Sequence, residues 1–166
     1  MNQPIPYQTI LSRLEENHLA YEVLQTPSGL SFLLLERGGR ILGPFIHENQ
    51  AGLFWVNQAF ASVESFSSFL RRGEWNLGGE RLWIAPELQY NISNRYDFDG
   101  SYSLPKQMDP GSYRLTNEGE QHFLFSMSLI LEARILAIGK KNLQVQCDVQ
   151  LCADPLRKIE QYDEIK

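Results

Sequence analysis

One pattern limits what this chain can fold into more than any other. Phe123, Phe125, Met127, Leu129 and Leu131 fall at every second position, with Ser126, Ser128 and Glu132 on the other face. Beyond Gly139-Lys140-Lys141-Asn142 the pattern repeats. Leu143, Val145, Cys147, Val149 and Leu151 alternate with Gln144, Gln146, Asp148 and Gln150. Successive side chains of a strand point to opposite faces, so each run has one apolar and one polar face. A one-sided pattern of this kind belongs to antiparallel sheets that cover a core with one face and meet water with the other. The two runs are predicted to pair as a hairpin turning at Gly139–Asn142, with Phe125 facing the core.

The earlier part of the chain reads as more of the same class. Strands are expected from Ala20 to Thr26, from Leu30 to Glu36 and from Arg40 to Ile46. They are separated by turns at Pro27-Ser28-Gly29 and Gly38-Gly39. Short turns between strands give an antiparallel meander. The run Phe32-Leu33-Leu34-Leu35 is apolar on both faces, so its strand should be covered on both sides. Shorter strands are expected at Leu53 to Val56 and Tyr113 to Thr116, the latter followed by a polar loop, Asn117-Glu118-Gly119-Glu120.

Two segments carry helical spacing instead. Tyr7, Ile10, Leu11 and Leu14 share one helical face after Pro4 and Pro6, and Glu15 and Glu16 oppose the dipole at its end. Val63, Phe66, Phe69 and Leu70 share another, closed by Arg71, Arg72 and Gly73, which predicts a helix from Val63 to Arg72. The stretch after Glu87 is polar and irregular, with Tyr90, Tyr96, Phe98 and Tyr102 interleaved among loop formers. The tail after Pro155 is charged. The fold class is therefore mainly β: an antiparallel β-sandwich with about two short helices, in a single domain over residues 1–166.

Composition narrows the function classes. The net charge is −5, and the Lys and Arg residues are scattered, which argues against a nucleic-acid face. No run of about 18 apolar residues suggests a membrane span. The N-terminus, Met-Asn-Gln-Pro-Ile-Pro, lacks the basic and apolar regions of a secretory signal. Cys147 and Cys152 would lie on opposite faces of one strand, which disfavours a disulfide between them, so a reducing cytoplasm is the expected location. With that location, the sequon Asn91-Ile92-Ser93 reads as a chance match. His18, His47 and His122 have no metal spacing and no cysteine cluster beside them, so no metal is expected. Asp97 and Asp99 lack the rest of a calcium loop. Gly38 to Gly43 lacks the Gly-Lys-Ser/Thr ending of a phosphate loop, and no cofactor is expected.

The segment that carries chemistry runs from Glu74 to Glu87, Glu-Trp-Asn-Leu-Gly-Gly-Glu-Arg-Leu-Trp-Ile-Ala-Pro-Glu. Read as a strand, it sends Leu82 and Ile84 to the core and sets Arg81 beside Trp83 on the other face. An indole can stack on the C–H face of a sugar, and a guanidinium offers a rigid fork of donors to oxygens. Spacing alone favours Trp83 in the core and Arg81 paired with Glu80 or Glu87. Asn76 can serve the Gly78-Gly79 turn rather than a ligand. Asp109 before Pro110-Gly111 reads as a turn former.

The run Gly78-Gly79-Glu80-Arg81-Leu82-Trp83-Ile84-Ala85-Pro86-Glu87 resembles a glycine-glycine-x-arginine-x-tryptophan-x-alanine-proline-glutamate signature. That signature occurs in proteins related to the galactose mutarotase (aldose 1-epimerase) superfamily. Arg37-Gly38-Gly39-Arg40-Ile41-Leu42, Leu53-Phe54-Trp55-Val56-Asn57 and Met108-Asp109-Pro110-Gly111-Ser112-Tyr113 resemble other pieces of the same pattern in the same order. Members normally run about twice this length, so the chain resembles the N-terminal half. The resemblance implies a β-supersandwich with a carbohydrate site on a concave face. The expected function is binding of a sugar or glycan through Trp75, Asn76, Arg81, Trp83 and Glu87. A sugar epimerase or other carbohydrate-modifying enzyme completed by a second half is one alternative, and a non-catalytic assembly module is another. A sandwich cut in half would leave sheet edges uncovered, so a homo-oligomer is also expected.

Overall fold

The computed structural model describes residues 3–135 and 139–153. Helix α1 (Tyr7–Glu16) leads into strands β1 (Tyr21–Gln25), β2 (Ser31–Leu35) and β3 (Arg40–Phe45). A 3-10 turn at Gln58–Ala61 precedes helix α2 (Val63–Arg71), and the two-residue strand β4 (Glu80–Arg81) follows. Single-turn helices α3 (Leu88–Asn91) and α4 (Phe98–Ser101) lead to β5 (Arg114–Gly119), β6 (His122–Glu132) and β7 (Lys140–Gln150). The strands form two antiparallel sheets, ordered β1-β2-β3-β4 and β5-β6-β7.

The hairpin predicted from the alternation is present. β6 and β7 pair with Phe123 opposite Val149, Phe125 opposite Cys147, Met127 opposite Val145 and Leu129 opposite Leu143. Apolar side chains thus stand directly across from apolar ones, which is the unit of sheet stabilisation. Phe125 is 1% exposed. The turn lies earlier than expected. Lys140 already pairs with Glu132, so Lys140 to Asn142 belong to β7 and part of the connection falls outside the described residues. Leu151 lies beyond the strand end. The charged tail after Pro155 also falls outside the described residues.

The first sheet is the middle of three layers. On one face Leu33, Leu35, Leu42 and Phe45 pack against Ile10 and Leu14 of α1, Phe60, and Phe66 and Phe69 of α2. On the other, Leu24, Phe32, Leu34 and Ile41 meet the apolar face of β6. The doubly apolar run Phe32–Leu35 therefore has a cover on each side, as its composition requires. α2 is fixed at its start by Ser62, whose hydroxyl accepts from Ser65 N at 3.1 Å while Ser65 Oγ accepts from Ser62 N at 3.2 Å. This reciprocal cap satisfies donors that the first turn would otherwise leave open.

Three expectations are corrected. Leu53 to Val56 is not a strand; Val56 makes a single bridge to Gly78. The strand expected through Ala85 is only Glu80–Arg81, because β3 offers partners no further than Arg40 and Ile41. Without a ladder the alternation lapses, and Leu82 is 43% exposed rather than core, while Ile84 does pack on the second cluster. The polar stretch after Glu87 is not all irregular, since α3 and α4 lie within it; Asp97 Oδ1 caps α4 by accepting from Gly100 N at 3.0 Å. Cys147 is half-buried and Cys152 exposed, both as free thiols, and burial pushes the Cys147 thiol up from its ordinary value.

Candidate functional site

The Gly78-Gly79 turn has a geometry that only glycine meets without strain. Both residues are left-handed, with φ of 97° and 70°. A Cβ on Gly78 would strike the carbonyl of Trp55, and one on Gly79 the carbonyl of Ile41. Four hydrogen bonds hold the turn. Gly78 N donates to Asn76 Oδ1 at 3.2 Å, and Gly79 N to Trp55 O at 2.8 Å. Asn57 Nδ2 donates to Asn76 O at 2.8 Å, and Arg40 Nη1 to Gly78 O at 2.8 Å. Asn76 thus serves the framework of the turn.

This clamp gathers the tryptophans. The chain has three, and Trp55, Trp75 and Trp83 all line one cleft of about 310 Å³. Arg40, Asn76, Glu80 and Arg81 complete its polar wall. Trp55 is 56% exposed and Trp83 47%, so neither indole belongs to the core. Arg81 lies with its Cζ 3.6 Å from the centroid of Trp83 and 5.1 Å from that of Trp75. The Arg40 Cζ lies 5.7 Å from the Trp75 centroid. Guanidinium groups stack favourably on indole faces, the more so when desolvated.

Behind the cleft is a buried ion cluster. Asp109 Oδ2 accepts from Arg40 Nη2 at 2.5 Å and is also paired with Arg81 Nη1. Arg81 therefore pairs with Asp109, not with Glu80 or Glu87. Burial raises the Asp109 carboxyl above its ordinary range, and Arg40 and Arg81 pull it back. Burial lowers Arg40 in the same way, with Asp109 opposing. Such a cluster ties together the start of β3, β4 and the turn before Pro110, because separating one partner strands a charge in a dry interior.

Glu87 stands apart from the cleft. Its Oε1 accepts from Asn91 Nδ2 at 2.8 Å and from the Tyr102 hydroxyl at 3.3 Å, linking α3 to the segment after α4. None of the histidines lines the cleft; His122 Nε2 lies 2.9 Å from Asp148 Oδ1 across β6 and β7. Among the described residues no three His, Cys, Asp or Glu side chains gather as a metal site, and no helix is long and apolar enough to cross a membrane.

Sequence reasoning missed Arg40 and Asp109 as partners of the site. Arg40 opens a largely apolar strand, Arg-Ile-Leu-Gly-Pro-Phe, and a charge buried there needs a countercharge. Asp109 does start a turn, with Gly111 at φ 64°, but its carboxylate also supplies that countercharge. No protein-family model, curated protein or solved structure matches the chain.

Proposed function

We propose that this protein binds carbohydrate in the tryptophan-lined cleft. The observation that carries the reading is the placement of all three tryptophans of the chain around one small concavity with two arginines in its wall. A cleft of this size is at the lower end of small-molecule sites, which suits one or two sugar rings rather than a long polymer. The open faces of Trp83 and Trp55 stack on the ring, and Arg81 and the polar edge of the Asn76 turn meet its oxygens. Four segments of the chain converge on the cleft. Arg37–Leu42, Leu53–Asn57, Gly78–Trp83 and the turn at Asp109 are distant in sequence and adjacent here. The location is a reducing cytoplasm, in keeping with two free cysteines among the described residues.

The test separates binding from folding. Trp83→Ala removes a half-exposed ring, so affinity for a bound monosaccharide should fall at least about tenfold while the melting temperature stays near that of the parent. A panel of monosaccharides that gives no binding to the parent, or a Trp83→Ala protein that binds as well as the parent, refutes the reading.

One observation favours a second reading, assembly. β7 stands at the edge of its sheet, eleven residues long, with no further strand beside it among the described residues. Exposed edges of that length pair with other strands unless protected. Self-association as a symmetric dimer would show as a doubled mass in light scattering, and a clean monomer at high concentration would reject it.

A further inference from the structure

The charges behind the cleft do not balance. Arg40 and Arg81 side chains are 2% and 5% exposed, and Asp109 is 0% exposed. Two guanidinium groups thus meet one carboxylate, a surplus of one positive charge. Arg37 adds to it. It feels the Asp109 charge, and its Nη2 donates to a neutral acceptor, the Glu74 carbonyl, at 3.0 Å. The acids nearby are engaged elsewhere or lie in solvent. Glu74 pairs with Arg72, and Glu36 Oε2 accepts from Leu115 N at 3.0 Å; Glu80 borders the cleft but is exposed and makes no ion pair with the buried arginines. An uncompensated buried charge is expensive, and proteins keep one where a ligand completes it.

The hydrogen bonds point the same way. Arg40 Nε and Arg81 Nη2 are buried donors with no partner among the described residues, and Asp109 Oδ1 is a buried acceptor in the same position. Both arginines line the cleft. Trp83 stacks on the Arg81 guanidinium and is itself half open to solvent, so a turn of one indole exposes that donor to an incoming group.

Resting on the carbohydrate reading, we propose that the ligand is an acidic sugar, whose carboxylate or phosphate oxygens are taken by Arg81 and Arg40. Planar guanidinium forks match such oxyanions, and charge-assisted bonds are about twice as strong as neutral ones. Asp109 Oδ1 is then left to accept from a hydroxyl next to the anionic group. The arginine pair selects the charge, and the indoles select the ring.

Calorimetric titration of the full chain with matched ligands tests this. Glucose is compared with glucuronate and glucose 6-phosphate, and galactose with galacturonate, with acetate and inorganic phosphate as sugar-free arms. Acidic sugars should bind about tenfold or more tightly than their neutral parents, weakening as salt is raised. The better of the uronate and phosphate arms identifies the source of the oxyanion. Asp109→Asn, which removes the competing carboxylate, should raise the ratio of acidic-sugar to neutral-sugar affinity, since both sugars share whatever the hydroxyl contact contributes. The wild-type comparison decides the matter alone if that variant fails to fold. Equal binding of neutral and acidic sugars overturns the charge assignment and leaves the carbohydrate reading standing. Equal binding of inorganic phosphate and glucose 6-phosphate upholds the oxyanion pocket but rejects the sugar. No binding in any arm overturns both.

Discussion

The β6–β7 hairpin and the β3–β4 corner are both antiparallel pairings, and they are held by different physics. In the hairpin, Phe123, Phe125, Met127, Leu129 and Leu131 form a buried apolar face at every second position of an eleven-residue strand, and the ladder runs its full length. At the corner the ladder is two pairs long, and what holds it is a pair of left-handed glycines and a carboxylate shared by two arginines. The first arrangement is a folding device that leaves a mostly polar outer face, interrupted by Leu124 and Ile130. The second leaves indoles and guanidinium groups at a concave surface. A rigid scaffold carrying a less regular, chemically loaded corner is how binding sites are commonly placed.

Two substitutions with comparable expected cost would probe this contrast. Asp109→Ala should cost about 3–5 kcal/mol, because it leaves two guanidinium groups buried without their acceptor. Phe125→Ala should also cost about 3–5 kcal/mol, through lost burial and a cavity. Their causes can be told apart. Adding Arg81→Met should recover part of the Asp109→Ala loss, with a coupling of about 0.5–3 kcal/mol in a double-mutant cycle. Equilibrium denaturation reads all of these. An Asp109→Ala loss below about 1 kcal/mol would reduce the ion cluster to an ordinary surface pair, and the same result for Phe125→Ala would undo the face assignment.

The contrast also explains what could be read in advance. Both cores were legible, because Phe123 to Leu131 alternate over a long ladder and Phe32 to Leu35 are apolar on both faces. The helix from Val63 was legible to within a residue through its spacing and its Arg-Arg-Gly stop. Leu82 was misread because periodicity assumes a neighbouring strand, and β3 supplies partners only at Arg40 and Ile41. Asp109 was rightly read as a turn former, but its second role as countercharge was missed, because turn chemistry accounts for Asp-Pro-Gly without any need for a distant partner. Arg81 and Trp83 were rightly placed side by side, yet the countercharge lies 28 positions further on, a long-range pairing that local patterns do not encode.

A smaller effect sharpens the same boundary. Leu82→Ala should change stability by no more than about 0.5 kcal/mol, since Leu82 is exposed and outside both core clusters. A thermal melt showing a loss like that of Phe125→Ala would restore Leu82 to the core and extend the ordered corner past Arg81.

The central claim is that the three tryptophans form one ligand site. Because the chain has no others, the side-chain indole N–H signals of a ¹⁵N-labelled sample report on that cleft alone. Titration with the best-binding sugar of the panel should shift the signals of Trp55, Trp75 and Trp83 together along one binding curve. Indole signals that stay fixed while the sugar binds, or that follow separate curves, would contradict the claim.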